Sequence, residues 1–259
     1  MSKIIDVSKW NYPVDWDAVI KAGVTGVIVR AGSGVTEDDR MKYFTNEVIK
    51  RGLDLGFYWF VYIHSGRTIA ANCIKFEQTI RPYKDKINLN VWCDFEYDTE
   101  EKLSRYDTNT LTRISRSTLI ANFCQTMNFY GYKCGYYANR DYLLNHLLHS
   151  KLKDFPLWYA RYTSKEDEYT KSATLWQYTS SGKIGGKKFD MSKRVETDRF
   201  YPGIGLVAAF NAVGIPSSFE HRKEIARANG IEEYTGTAEQ NTELVVLLAK
   251  GELRKEKTQ

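Results

Sequence analysis

The chain has 259 residues, a hydrophobic share of 42%, a charged share of 27% and a formal net charge of +5. That length holds one large domain, or one with a small appendage, and the balance is that of a globular protein, which excludes disordered and fibrous classes. No apolar run approaches the roughly 18 residues that span a bilayer, so membrane insertion is not expected, and the mild positive charge does not demand a polyanionic partner.

Met1-Ser2-Lys3-Ile4-Ile5-Asp6 reaches a charge too early for a signal peptide. Cys73, Cys93, Cys124 and Cys134 show no C-x-x-C spacing and no nearby histidines, so they read as reduced core residues and not as a zinc site. Together these features predict a protein made in a reducing cytoplasm that reaches any outside target by release through another route. The 18 tyrosines and 6 tryptophans exceed what a core of this size needs and offer stacking surfaces for sugars or bases.

In chain order, residues 4–8 read as a short strand and 15–22 as a helix capped by Asp15 and stopped by Gly23. Residues 26–30 form a buried-type strand. The glycine-rich loop 31–34 that follows has no Walker lysine and is no phosphate cradle. A helix over 39–51, a strand over 55–61, a helix over 68–80 and a strand over 90–96 come next. Asp107 or Thr108 starts a long helix ending near Gly131. Strands over 134–138, 156–160, 174–178 and 188–190 complete the set, with a helix over 141–152 among them. Eight strands joined by crossovers predict an α/β fold with a parallel sheet, a (β/α)8 barrel whose last helices are reduced.

The most informative stretch is Asn90-Val91-Trp92-Cys93-Asp94-Phe95-Glu96, an apolar run ending in two carboxylates. Side chains alternate along a strand, so Asp94 and Glu96 share a face, with Cα atoms about 6.6 Å apart, and Phe95 takes the other. Acids that close repel, and at least one holds its proton above the usual carboxyl range, the device behind acid and base pairs in glycoside chemistry. In a barrel, chemistry gathers where the strands end at their C-termini. Those ends carry Asp6, Arg30, Trp59, Tyr62, Asp94, Glu96, Tyr136, Tyr159, Arg161, Gln177 and Asp190. Acids among stacking rings describe a polysaccharide cleft. A nucleic-acid groove is disfavoured because carboxylates repel phosphates, and no metal or organic cofactor is implied. A non-catalytic polysaccharide-binding barrel and a hydrolase of another amino-sugar polymer are the alternatives. By itself this pattern reaches a glycoside hydrolase of an acetylated or acidic polymer.

The ordered motifs Asp6-Val7-Ser8, Val29-Arg30-Ala31-Gly32, Gly56-Phe57-Tyr58-Trp59-Phe60, Asp94-Phe95-Glu96, Trp158-Tyr159-Ala160, Leu175-Trp176-Gln177-Tyr178 and Asp190 give the chain its likeness to a known family. From Ile4 to about Phe200 it resembles the muramidases of glycoside hydrolase family 25. The resemblance implies a peptidoglycan hydrolase that cuts the β-1,4 bond after N-acetylmuramic acid with retention of configuration. It implies Glu96 as the general acid, Asp94 as the second catalytic carboxylate, and Asp6 and Asp190 lining the same site. Asp94 is either the nucleophile or the group that orients the substrate's own N-acetyl as nucleophile, and the spacing allows both. The chain departs from the family pattern at Asp190-Met191-Ser192, where asparagine usually closes the motif, and at Phe95, where a smaller aliphatic residue is common.

Composition shifts after Tyr201-Pro202-Gly203, which predicts a hydrolase barrel over 1–202, a small three-helix module over 203–253 and a charged tail over 254–259. Ser217 to Glu220 and Thr237 to Gln240 read as capping boxes, Asn229-Gly230 ends the middle helix, and Leu244, Leu247 and Leu248 form an apolar stripe. About fifty residues make a small core. The run from Gly214-Ile215 through Asn229-Gly230-Ile231 to Thr242 is similar to modules that end some phage and bacterial lysins, and this resemblance implies cell-wall binding, with formation of a homo-oligomer as the alternative and a plain structural cap third.

Overall fold

In a computed structural model that describes residues 2–64, 67–106, 111–195, 206–250 and 252–254, the chain divides into two compact units, 1–197 and 198–259. The expected boundary at 202 and the end of the expected charged tail, 255–259, lie outside the described residues.

The first unit is a closed barrel. Strands β1 (Ile4–Val7) and β2 (Gly26–Ser33) pair in parallel, and the short β3 (Thr36–Glu37) folds back on β2. From β2 the parallel ladder runs through β4 (Asp54–Phe60), β5 (Ile87–Asp94), β6 (Cys134–Asn139), β7 (Leu157–Ala160) and β8 (Leu175–Ile184). The eighth barrel strand, β9 (Lys187–Arg194), corrects the all-parallel expectation, because it runs antiparallel to both β8 and β1. Gly185 and Gly186 have φ of 53° and 78°, the pair of left-handed residues that turns one strand straight back into a hairpin, leaving no room for a crossover helix.

Helices cover the outside: α1 (Trp16–Lys21), α2 (Met41–Lys50), α3 (Ile69–Ile80), α4 (Tyr97–Tyr106), α5 (Arg113–Phe129), α6 (His149–Leu152) and α7 (Glu168–Ser172). Asp15 and Thr68 cap α1 and α3 by accepting the N–H groups of Ala18 and Ala71. The expected helix start at Asp107 or Thr108 lies outside the described residues; α5 begins after Thr112, which exchanges capping hydrogen bonds with Ser115. The helix expected over 141–152 is broken. A π-helical turn (Tyr142–His146) ends at the extended Leu147, because Arg113 of α5 takes the carbonyls of Leu144 and Leu147 that a continuous helix would have used.

Two apolar layers result. Between barrel and helices lie, among others, Val29, Phe57, Trp59, Val91, Cys93, Phe95, Phe123, Tyr136 and Tyr159, with all four cysteines free and buried. Inside the barrel lie Ile4, Ile28, Leu89, Trp92, Trp158 and Leu175, packed by Tyr58 and Tyr137. Leu89 faces inward and Val91 outward although both numbers are odd, so the alternation inverts between them. Asn90 between them has φ of 64°, and the pairing with β4 jumps from Leu55↔Ile87 to Phe57↔Val91. This bulge inserts extra residues and resets the phase, which turns Trp92 and Asp94 into the barrel.

The second unit holds α8 (Leu206–Ala212), α9 (Phe219–Ala228) and α10 (Ala238–Lys250) around Phe210, Ile225, Tyr234, Leu244 and Val245. The α9 cap is Ser218, one residue later than the expected box, and it accepts the N–H of His221. At α10, Gln240 N–H donates to Thr237 Oγ1 and Thr237 N–H to Gln240 Oε1, each at 3.3 Å, a reciprocal box.

The bulge makes a test. Asn tolerates the left-handed region and a β-branched residue does not. Asn90→Val is expected to lower stability by about 1–2 kcal/mol or more in urea unfolding, and Asn90→Gly to stay near wild type.

Candidate active site

At the C-terminal end of the parallel strands a cleft of about 760 Å³ opens. Its floor is aromatic. Trp158 contacts Trp92 at 5.7 Å, Tyr137 at 5.1 Å and Tyr58 at 6.2 Å between ring centroids, and its indole N–H donates to Ser192 Oγ at 3.0 Å. Above this floor Asp6, Asp94, Glu96 and Asp190 line the cleft together, each on a different wall position set by the strand that carries it.

Asp6 and Asp190 are directly opposed in the antiparallel β1–β9 ladder, and a hydrogen bond joins their side chains. Burial, then the charge of Asp190, pushes the Asp6 carboxyl well above its ordinary range, so Asp6 holds the proton between them. Burial raises Asp190 as well, and its bond to Asp6 acts against that. Gln177 Nε2 donates to Asp6 Oδ2 at 2.9 Å, and Gln177 Oε1 accepts the hydroxyls of Tyr137 at 3.0 Å and Tyr162 at 3.1 Å.

Glu96 follows β5, where Thr99 holds its backbone. Thr99 N–H donates to the Glu96 carbonyl, Glu96 N–H to Thr99 Oγ1, and Thr99 Oγ1 to the Val61 carbonyl at 2.7 Å. Desolvation first, then Asp98 and Asp190, pushes Glu96 up to about 7. Asp94 is buried, its Oδ1 has no hydrogen-bond partner among the described residues, and desolvation, Glu96 and Asp6 raise it well above the ordinary range. Of the four carboxyls only Asp94 is drawn down by a cation, Arg30. Arg30 is in turn held by Asp38, which accepts Arg30 Nε at 2.7 Å and the backbone N–H groups of Arg40 at 2.9 Å and Lys9 at 3.2 Å.

Of the aromatic residues expected at the cleft, none lines it. Trp59, Tyr136 and Tyr159 are buried in the layer between barrel and helices. The Trp59 indole donates to the Gly34 carbonyl and to Asn72, and the Tyr159 hydroxyl donates to Asp167 at 3.1 Å. Tyr62 stands beyond β4 with its N–H on Asn72 at 3.3 Å. The lining rings are instead the sequence neighbours Tyr58, Phe60, Tyr137, Trp158 and Tyr162, with the exposed Trp10. In Tyr58-Trp59, Tyr136-Tyr137 and Trp158-Tyr159 both members are aromatic, so composition does not say which one faces in. The parity of Asp94 and Asp6, carried across the ladders, would have found the right ones. Arg30, Arg161 and Gln177 do line the cleft, with Asn139, Arg140 and Asp141 beside them. Among the described residues no group of three or more His, Cys, Asp or Glu is arranged to hold a metal ion.

A profile of Glycosyl hydrolases family 25 matches residues 5–187, most of the barrel that carries these carboxyls. The chain belongs to this family. The autolytic lysozyme of Clostridium acetobutylicum is 27% identical over 203 residues, covering 78% of this chain and 56% of that protein. The modular autolysin LytC of Streptococcus pneumoniae superposes with a TM-score of 0.62 at 27% identity, over 74% of this chain and 46% of its own, and that autolysin has also been solved with a synthetic peptidoglycan ligand. The family 25 chain thus spans about half the length of these two relatives. The Streptomyces coelicolor lysozyme, at 19% identity and a TM-score of 0.60 over 76% of this chain and 93% of its own, shares the fold. A 66-residue stretch, 26% of this chain and 24% of the other protein, is 38% identical to the L-alanyl-D-glutamate peptidase of Listeria phage A118.

A general acid at Glu96 works only while protonated. With its pKa at about 7 the acid form dominates below that value and is lost above it. The rate on a soluble glycan is expected to fall as pH rises through about 7. A rate that stays level to pH 9 would remove Glu96 from the role.

Proposed function

We propose that this chain is a muramidase that hydrolyses the β-1,4 bond between N-acetylmuramic acid and N-acetylglucosamine in peptidoglycan, with retention of configuration. The observation that carries the reading is the pairing in one cleft of Glu96, whose carboxyl keeps its proton to about 7, with the buried Asp94 at the end of β5, while Phe95 between them lies in the core. The autolytic activity named for the Clostridium relative and the peptidoglycan ligand solved with LytC support the choice of polymer.

In this reading a sugar lies on the Trp158 floor, and Glu96 gives its proton to the glycosidic oxygen as the bond to the anomeric carbon breaks. Positive charge develops on that sugar next to Asp94, which Arg30 favours in its ionised form. The unpartnered Asp94 Oδ1 supports a role in accepting the N–H of the substrate's own acetamido group, whose oxygen then attacks the anomeric carbon; direct attack by Asp94 is the other retaining route. Burial and the charge of Asp190 keep Asp6 and Asp190 from both ionising beside the reacting centre, and the hydrogen-bonded row of Gln177, Tyr137 and Tyr162 holds Asp6 in place.

Glu96→Gln is expected to cost about 10²–10⁴-fold in turnover while leaving substrate binding close to wild type, since amide and acid are alike in shape. Mass spectrometry of fragments released from purified peptidoglycan reads the bond: new reducing ends on N-acetylmuramic acid agree, and ends on N-acetylglucosamine would show a glucosaminidase. Proton NMR of the first-formed product reads the stereochemistry, and an initial α-anomer would exclude both retaining routes.

For the second unit the proposed role is retention on the cell wall. A glycosidase and a peptidase cut different bonds, so a 66-residue stretch common to both supports a shared non-catalytic module, and unit 198–259 is of similar length. A chain ending at Thr197 is expected to cut soluble glycans and to sediment less with whole walls. Equal sedimentation would end the targeting role, and loss of a dimer mass on truncation would favour oligomerisation.

A further inference from the structure

Resting on the muramidase reading, we propose that Arg140 and Arg161 form a binding site for a carboxylate carried by the substrate strand, at the β6–β7 side of the cleft. Asn139 and Ala160 are register partners in the parallel β6–β7 ladder, so the residues that follow them, Arg140 and Arg161, emerge side by side. Both line the cleft, as do the carboxyls of Asp6, Asp94, Glu96, Asp141 and Asp190.

The charges there do not balance. Arg30, the third guanidinium of the lining, has its own counter-ion in Asp38. Arg140 and Arg161 share one carboxylate, Asp167, and Asp167 is already in demand. Its Oδ1 accepts the N–H of Thr170 at 2.9 Å, and its Oδ2 accepts the Tyr159 hydroxyl and meets Arg161 in a close ion pair. Burial acts to raise Asp167, yet the Thr170 N–H, the Tyr159 hydroxyl and Arg161 hold it below its usual range, so it stays ionised. Arg140 comes no closer to it than 3.7 Å, at Nε, and that ion pair is its one polar contact among the described residues. The neighbouring Asp141 is occupied by the Tyr97 hydroxyl, by Asn145 at 2.7 Å and by His146 at 3.4 Å. Two guanidiniums against one carboxylate leave a surplus positive charge, and Arg140 keeps its two terminal nitrogens for an outside acceptor. A guanidinium fork fits a planar carboxylate with two parallel hydrogen bonds.

Peptidoglycan strands carry carboxylates of two kinds. One is on the lactyl group of an N-acetylmuramic acid whose peptide has been removed, and the other is on the peptide stem. The chemistry at Arg140 is the same for both, so the substrates must separate them.

The test uses the full chain and four soluble strands: stem-free with lactyl carboxylates free, the same with those groups amidated, stem-bearing with stem carboxylates free, and the same amidated. For wild type, kcat/KM is expected to favour a free-carboxylate strand over its amidated twin by about tenfold, the scale of one charge-assisted hydrogen bond. In Arg140→Gln that ratio is expected to collapse towards one, mainly through KM, and Arg140→Lys to recover part of it. Collapse for the stem-free pair alone assigns the lactyl group, and collapse for the stem-bearing pair alone assigns the stem. A wild-type ratio near one for both pairs overturns the proposal. So does an Arg140→Gln loss that is equal on free and amidated strands, since it marks a structural role. A wild-type chain that cuts none of the four overturns the muramidase reading, and this inference with it.

Discussion

Four carboxyl groups brought into one desolvated pocket are the constraint to which the rest of the barrel answers. Charges taken from water without partners are costly, and like charges at this range cannot all ionise. The chain meets both problems with protons and hydrogen bonds. Asp6 keeps its proton and shares it with Asp190, Gln177 and two tyrosine hydroxyls close the row around Asp6, and Glu96 stays neutral to about 7. Asp94 is set beside the cation Arg30, and among the described residues one of its oxygens has no hydrogen-bond partner. A buried acceptor left open is a cost that a substrate amide can remove.

This arrangement depends on the one strand that breaks the barrel's parallel order. Had β9 crossed over in parallel like its neighbours, Asp190 would have met the cleft only at a strand end. The Gly185-Gly186 hairpin brings it back through the middle of β9, where its register partner is Asp6. The floor beneath follows from the same packing. Trp92 and Trp158 fill the barrel and raise its base, so the carboxyls rest on aromatic surface and not in a water-filled pore.

A second ring of residues gives each acidic wall its position. Asp38, with its side chain almost wholly enclosed, ties Arg30 to the turn that carries the exposed Trp10. Thr99 fixes the Glu96 backbone against β4, and Asp167 draws the two arginines of the β6–β7 side together. The cleft is therefore acidic around Asp94 and Glu96 and basic beside them, at Arg140 and Arg161.

The local text of the chain was enough for whatever depends on neighbours in sequence. Helix caps at Asp15 and Thr237, the glycine stops and the strand-like runs follow from propensity and a period of two, and the motif order from Asp6 to Asp190 was enough to point to the family. What the tertiary structure alone decided is register and direction. Asn90 reverses the alternation of β5, β9 runs backwards, and in each aromatic doublet the ladder chooses Tyr58, Tyr137 and Trp158 over Trp59, Tyr136 and Tyr159. Asp38, Thr99, Arg140 and Asp167 stand outside every motif because their roles rest on contacts across the fold. A period of two says that adjacent side chains part to opposite faces, but which face is inside is set by hydrogen bonds to another strand, and those bonds are not written in the strand itself.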